Sequence, residues 1–230
     1  MNNTYLFYDL ETTGLSKAFD QVLQFAAIRT DMQFNEIERH DIMLKLRRDV
    51  IPSPKATITH RISIAQSMQG ICEFEAVEQI HRLLNQPGTI SLGYNSSSFD
   101  DEFLRFCFHR NLLTPYTHQY KEGCRRSDLL PLTIVYYLYK REVLENWPEI
   151  DGKLTMRLEK LSEANQLAIG QAHNAMVDVE ATVELARRLY KEPKMWHYLS
   201  GYFDKITDIK RIDEIPIAFE SIACSNRIGL

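Results

Sequence analysis

The chain lacks the features that would place it in several broad classes. Its four cysteines, Cys72, Cys107, Cys124 and Cys224, are far apart and form no C-x-x-C pair, which argues against a disulfide framework or a cysteine zinc site. No apolar run approaches the length of a membrane span, so no membrane partner is expected. The start, MNNTYLFYDL, has neither a basic n-region nor a small-residue cleavage site, and the expected location is the cytoplasm. There is no excess of positive charge. Lys and Arg number 27 against 31 Asp and Glu, a net charge of -4, which disfavours a passive nucleic-acid coat. It leaves open an enzyme whose acidic site is neutralised by metal. Internal repeats and low-complexity tracts are also missing.

What is present is ordinary globular composition in 230 residues, enough for one large domain and a sizeable core. Residues 4–11, 22–31 and 37–46 read as a strand meander with a weak MQFNE turn. RRDVIPSPKAT (47–57) reads as a loop because of its prolines. Residues 73–86 have helical spacing at Phe74, Val77, Ile80, Leu83 and Leu84, and TISLGYN (89–95) reads as a buried strand. Residues 96–113 form a helix with serines suited to its N-cap and Phe99, Phe103, Leu104 and Phe106 on one face. SDLLPLTIVYYLYKRE is a further helix, Thr155 opens a short one, and 173–192 is long and amphipathic. After about residue 200 the periodicity is too weak to assign. Strands followed by helices interleaved with another strand imply an α/β or α+β layer fold.

The chemistry is concentrated in acids. FYDLETTGL places Asp9 and Glu11 in the first strand at i and i+2, on the face shared with Tyr5 and Phe7, while Leu6, Tyr8 and Leu10 take the other. Two adjacent carboxylates in a buried strand repel, and the nearest basic residue in sequence is Lys17. Either arginines from elsewhere pair with them, or a hard divalent cation does. Asp100 lies in the first turn of a helix after LGYNSSSF, and Asp178 lies inside the last long helix. Singly, each reads equally well as a favourable first-turn residue or a solvated helical acid. His173, five residues before Asp178, is the one histidine followed at that offset by an acid inside a long amphipathic helix.

The combination Asp-x-Glu-Thr, Asn-x-x-x-Phe-Asp and His-x-x-x-x-Asp resembles the DEDDh 3′–5′ exonucleases, and within them the nuclease domain of bacterial exonuclease I. FAAIRTD (25–31), LGYNSSSFDDE (92–102), RSDLL (126–130), NWPEIDGK (146–153), RLEKLSEAN (157–165) and AHNAMVDVEAT (172–182) carry the resemblance, which covers roughly residues 4–200. It implies a ribonuclease H-like α/β fold, with a mixed five-stranded central sheet flanked by helices. Residues 1–200 would be the exonuclease domain and 201–230 a tail of unassigned role, the further domains of exonuclease I being absent. It implies two divalent ions, Mg²⁺ or Mn²⁺, with Asp9 bridging them, Glu11, Asp100 and Asp178 completing their coordination, and His173 taking a proton from the attacking water. Arg61 stands where the family's His-Gly-Ile-Thr turn has glycine, and LETTGL is closer to the proofreading form of the first motif.

The expected activity is 3′–5′ hydrolysis of single-stranded DNA to nucleoside 5′-monophosphates. An RNA- or short-oligonucleotide-trimming enzyme is the alternative, because the carboxylates do not read the sugar. A catalytically dead binding module ranks below both, since all five residues are present. Candidate substrate contacts are the Thr12, Thr13, Gly14 turn, Leu15 as a wedge between terminal bases (the resemblance suggests this), Asn95 beside Asp100, and the basic pair Arg125 and Arg126. Arg47-Arg48 and Lys140-Arg141 compete with ordinary solvated surface, and Phe99 and Phe103 with core packing.

Overall fold

The computed structural model describes residues 3–170 and 174–214. Strands β1 (Thr4–Thr12), β2 (Val22–Thr30) and β3 (Glu36–Met43) form an antiparallel meander. Three helices follow, α1 (Pro54–His60), α2 (Ile64–Ser67) and α3 (Glu73–Leu84). Strand β4 (Thr89–Gly93) returns parallel to β1 and leads into α4 (Asp100–Arg110). Strand β5 (Arg125–Asp128) runs parallel to β4 and passes straight into α5 (Leu129–Tyr139). A two-stranded ribbon, β6 (Glu149–Ile150) and β7 (Lys153–Leu154), precedes α6 (Leu158–Asn165), α7 (Ala175–Leu189), α8 (Pro193–Ser200) and α9 (Lys205–Asp213). The main sheet has five strands in the order β3-β2-β1-β4-β5, the mixed sheet flanked by helices that the resemblance implies.

The alternation in β1 divides the interior in two. Tyr5 and Phe7 join one core with α5, α7 and α8, including Leu132, Tyr136, Val179 and Trp196. Leu6, Tyr8 and Leu10 join the other with α3 and α4, including Val77, Ile80, Phe103 and Phe108. Even the weak MQFNE turn is anchored. Phe34 is buried, stacks on Tyr5 at 5.2 Å between ring centres, and meets Trp196 edge-on at 5.4 Å.

Several elements depart from the sequence reading. Helix α1 starts inside the segment read as a loop, because Pro54 occupies the first turn, where no N–H is needed. Its end at Arg61 is left-handed (φ 61°), which explains why glycine suits that place. The residue before α4 is Phe99, with no side-chain cap, so the serines serve a preceding 3₁₀ turn (Ser96–Ser98) instead. Phe74 is exposed and Phe106 only half-buried, whereas Phe108 is in the core. Helix α6 begins at Leu158, after Arg157, not at Thr155. The segment after 200 contains α9, capped by Asp204, whose carboxylate accepts from Thr207 N at 2.9 Å. His173, Cys224 and residues 215–230 lie outside the described residues.

Candidate metal centre and its substrate turn

β1 outruns its parallel neighbour. Pairing with β4 ends at Phe7–Leu92, while pairing with β2 continues through Asp9–Ala26 to Glu11–Gln24. The far end of β1 therefore has backbone groups left over on the β4 side. The start of α4 fills that place, with Asp100 Oδ1 accepting from Leu10 N at 3.2 Å. On the sheet face where Asp9 and Glu11 project, α7 packs across β1 and β2 and brings Asp178 in its first turn. Asn174 caps that helix, accepting from Met176 N at 3.1 Å. The small Ala26 opposite Asp9 leaves room beside the carboxylate.

Asp9, Glu11 and Asp178 each offer an oxygen, all within 4.8 Å of one another. Asp100 is outside that trio, yet after burial its charge is the largest influence on Asp9. Burial first, then Asp100, Asp178 and Glu11, push the Asp9 carboxyl well above its ordinary value. Burial and then Asp178 push Glu11 up to about 8. Neither Asp9 nor Glu11 forms an ion pair with a described Lys or Arg. Converging acidic oxygens, with no described Lys or Arg paired to Asp9 or Glu11, fit a hard divalent metal.

The sign of the pH response follows. Glu11 holds its proton more tightly when folded than when unfolded, so stability is greatest below its ordinary 4.5 and is lost as pH rises through about 8. In EDTA the melting temperature is expected to fall over that window, and Mg²⁺ should suppress the fall at its upper end. A melting temperature that rises from pH 5 to 8 in EDTA would contradict this electrostatic picture.

The support around Asp100 escaped the sequence reading. Asp101 is buried, accepts a hydrogen bond from the Tyr8 hydroxyl, and accepts from Arg126 Nη1 at 2.8 Å. Burial raises its carboxyl, and Tyr8 and Arg126 oppose that rise. Asp128 accepts from Leu130 N at 3.0 Å as the cap of α5, from Asn95 N at 2.8 Å and from Ser97 N at 3.0 Å. One carboxylate thus fixes the turn that delivers Asp100. The Asp before an apolar run in RSDLL was the available signal.

The other predicted contacts fall as follows. Thr12, Thr13 and Gly14 are buried and Leu15 is 76% exposed. Thr13 N donates to Gln21 O at 2.9 Å, and Ser53 N donates to Thr13 O at 2.7 Å, so α1 is tied to this turn. His60 at the end of α1 is buried against the Thr12 backbone, and burial lowers its pKa. Asn95 is left-handed (φ 61°), and its side-chain oxygen accepts from the Ser98 hydroxyl at 3.2 Å. Arg125 is exposed and lies 3.8 Å from Asp204, and Arg126 is held by Asp101. Phe103 is in the core and Phe99 leans on it at 4.8 Å.

A mixed sheet in this strand order, with carboxylates gathered at the end of its central strand, defines a ribonuclease H-like domain with an acidic metal centre. Residues 6–186 match the RNase T exonuclease family, and the chain belongs to it. It is similar to exodeoxyribonuclease I of Buchnera aphidicola subsp. Baizongia pistaciae, at 37% identity over 214 residues, covering 91% of this chain and 44% of that protein. To exodeoxyribonuclease I of Escherichia coli K12 it is 38% identical over 207 residues, covering 88% and 43%. A crystal structure of E. coli exonuclease I in complex with a dA16 oligonucleotide matches with a TM-score of 0.82 and 38% identity, over 87% of this chain and 43% of that one. The chain thus spans less than half the length of these relatives.

Proposed function

We propose that this chain is a divalent-metal-dependent 3′–5′ exonuclease that shortens single-stranded DNA and releases nucleoside 5′-monophosphates. The observation that carries this reading is the convergence of Asp9, Glu11 and Asp178 oxygens within 4.8 Å, with no described basic residue paired to the first two. The choice of DNA rests on the similarity to exodeoxyribonucleases. With Asp100 the site offers four carboxylates, whose charge two divalent ions such as Mg²⁺ or Mn²⁺ balance. Such ions supply charge stabilisation of the phosphate and of the departing 3′-oxygen, and make water a better nucleophile.

The residues then divide the work. Asp9, Glu11, Asp100 and Asp178 would hold the ions. His173 accepts the proton from the attacking water, a role that suits a group whose ordinary pKa is about 6.5. The water oxygen bonds to phosphorus as the bond to the 3′-oxygen breaks, leaving a 3′-hydroxyl on the shortened strand. Thr12, Thr13 and Gly14 seat the terminal nucleotide, Leu15 wedges behind its base, and Asn95 approaches the sugar. Arg125 stays a candidate phosphate contact, whereas Arg126 serves Asp101. Residues 1–200 constitute the exonuclease domain. No described helix is long and apolar enough to cross a membrane. Cys72, Cys107 and Cys124 are free thiols, which suits a cytoplasmic setting.

The test is incubation of 5′-labelled DNA and RNA oligonucleotides with Mg²⁺ or Mn²⁺. Stepwise, EDTA-sensitive shortening of the DNA from its 3′ end is expected, and no shortening of either strand would sink the reading. His173→Ala should slow turnover by roughly 10²–10⁴-fold. Calorimetry of Mg²⁺ binding should show its metal affinity largely kept. Equal loss of both would remove His173 as the base.

A further inference from the structure

The turn after the first motif carries more than the terminal-nucleotide seat. Its backbone is locked from within. Ser16 N donates to Asp20 Oδ2 at 2.7 Å, Asp20 N to Ser16 O at 2.7 Å, Phe19 N to Ser16 O at 3.1 Å, and the Thr13 hydroxyl to Asp20 Oδ1 at 3.0 Å. A Cβ at Gly14 would stand 2.5 Å from Asp20 Oδ2, so a side chain there would displace the carboxylate that ties the turn. Arg110 of α4 reaches the Ala18 carbonyl at 3.4 Å from outside. On this fixed frame two large apolar side chains face solvent, Leu15 at 76% and Phe19 at 84% exposure.

Between them Lys17 folds back, and its Nζ donates to the carbonyl oxygen of Ser98, two residues before Asp100. Lys17 thereby bridges the two walls of the acidic site. Among the described residues Lys17 forms no ion pair, and its side-chain hydrogen bond is the one to Ser98. A cation whose described partner is a neutral carbonyl, set between two exposed apolar side chains and next in the chain to the acidic strand end, matches the alternation of bases and phosphates in a nucleic-acid strand. Bases stack on aromatic faces without regard to sequence, and the phosphates between them need cations.

We propose that the Leu15–Phe19 turn is a second nucleotide platform, on which Phe19 stacks a base upstream of the one wedged by Leu15 and Lys17 neutralises a phosphate between them. The occupant is single-stranded nucleic acid continuing from the site, so the assignment rests on the exonuclease reading above. Because the turn is already ordered by its own hydrogen bonds, binding orders little of the protein.

The test is equilibrium anisotropy of 5′-labelled dT10 in Ca²⁺, over a series of salt concentrations, with the full chain. Phe19→Ala is expected to weaken binding about tenfold. Phe19→Trp should keep it. Lys17→Gln should flatten the slope of log affinity against log salt by about 0.7, the value for one single-strand phosphate contact. Tyr120→Ala, which removes an aromatic of 70% exposure outside the turn, should change neither quantity. Parental affinity in Phe19→Ala, together with a parental salt slope in Lys17→Gln, overturns the platform. Nucleotide release from dT10 in Mg²⁺ is measured in parallel on the parent protein. If the parent releases none, the exonuclease reading fails, while the binding data still decide whether the turn holds a strand.

Discussion

Asp9→Asn is expected to abolish nucleotide release, with a loss exceeding the roughly 10²–10⁴-fold that removal of a general base produces. Asp9 occupies the centre of the charge cluster. Burial raises its carboxyl, and Asp100, Asp178 and Glu11 all act on it. An amide there contributes a neutral oxygen where a full negative charge was needed, and it leaves fewer carboxylates to balance the ions. The same substitution relieves repulsion in the metal-free fold. The melting temperature in EDTA at pH 8 should therefore rise in Asp9→Asn even as activity disappears. Opposite signs for activity and stability are the signature of a charge kept for function at the expense of the fold. A variant retaining more than about a hundredth of the parental rate would remove Asp9 from the centre of the site.

Arg126→Ala carries the second large effect, and it falls on stability. Asp101 is 4% exposed, and Arg126 is its only salt-bridge partner among the described residues. Removing one member of a buried pair leaves an uncompensated charge and costs about 3–5 kcal/mol. The lower end applies here, because the Tyr8 hydroxyl still donates to Asp101 and the Arg126 side chain is 39% exposed. Urea denaturation should show the loss, and the double variant with Asp101→Asn should recover most of it. Parental stability together with a shallower salt dependence of DNA binding would instead place Arg126 on the phosphate backbone.

The sequence reading reached the site by strand alternation and by motif. Alternation assigned Asp9 and Glu11 to the Tyr5–Phe7 face, and the two separate cores bear that out. Long periodic segments such as α3 and α7 were legible for the same reason, since a buried face recurs at the helical period. What stayed hidden depends on partners remote in sequence. RRSD has no apolar alternation, and β5 exists because Arg125–Asp128 pairs along β4. Asp101 and Asp128 look like ordinary first-turn and capping acids until Tyr8, Arg126, Asn95 and Ser97 arrive from other segments. Asp100 and Asp101 are adjacent and identical in type, and local sequence does not say which acts on Asp9 and which pairs with Arg126. Helix α1 was masked by prolines that read as breakers but serve as starters.

The carboxylates of the metal cluster lie far apart in sequence, in β1 and in α7. A polypeptide leaves the ribosome N-terminus first, so Asp9 and Glu11 emerge long before Asp178 is synthesised. Throughout that interval the cluster is incomplete, and the proposed metal site does not exist. Competence arrives only when α7 docks across β1 and β2, a contact of high sequence separation of the kind that slows folding. Synthesis order alone thus keeps the acidic cluster incomplete until α7 has emerged.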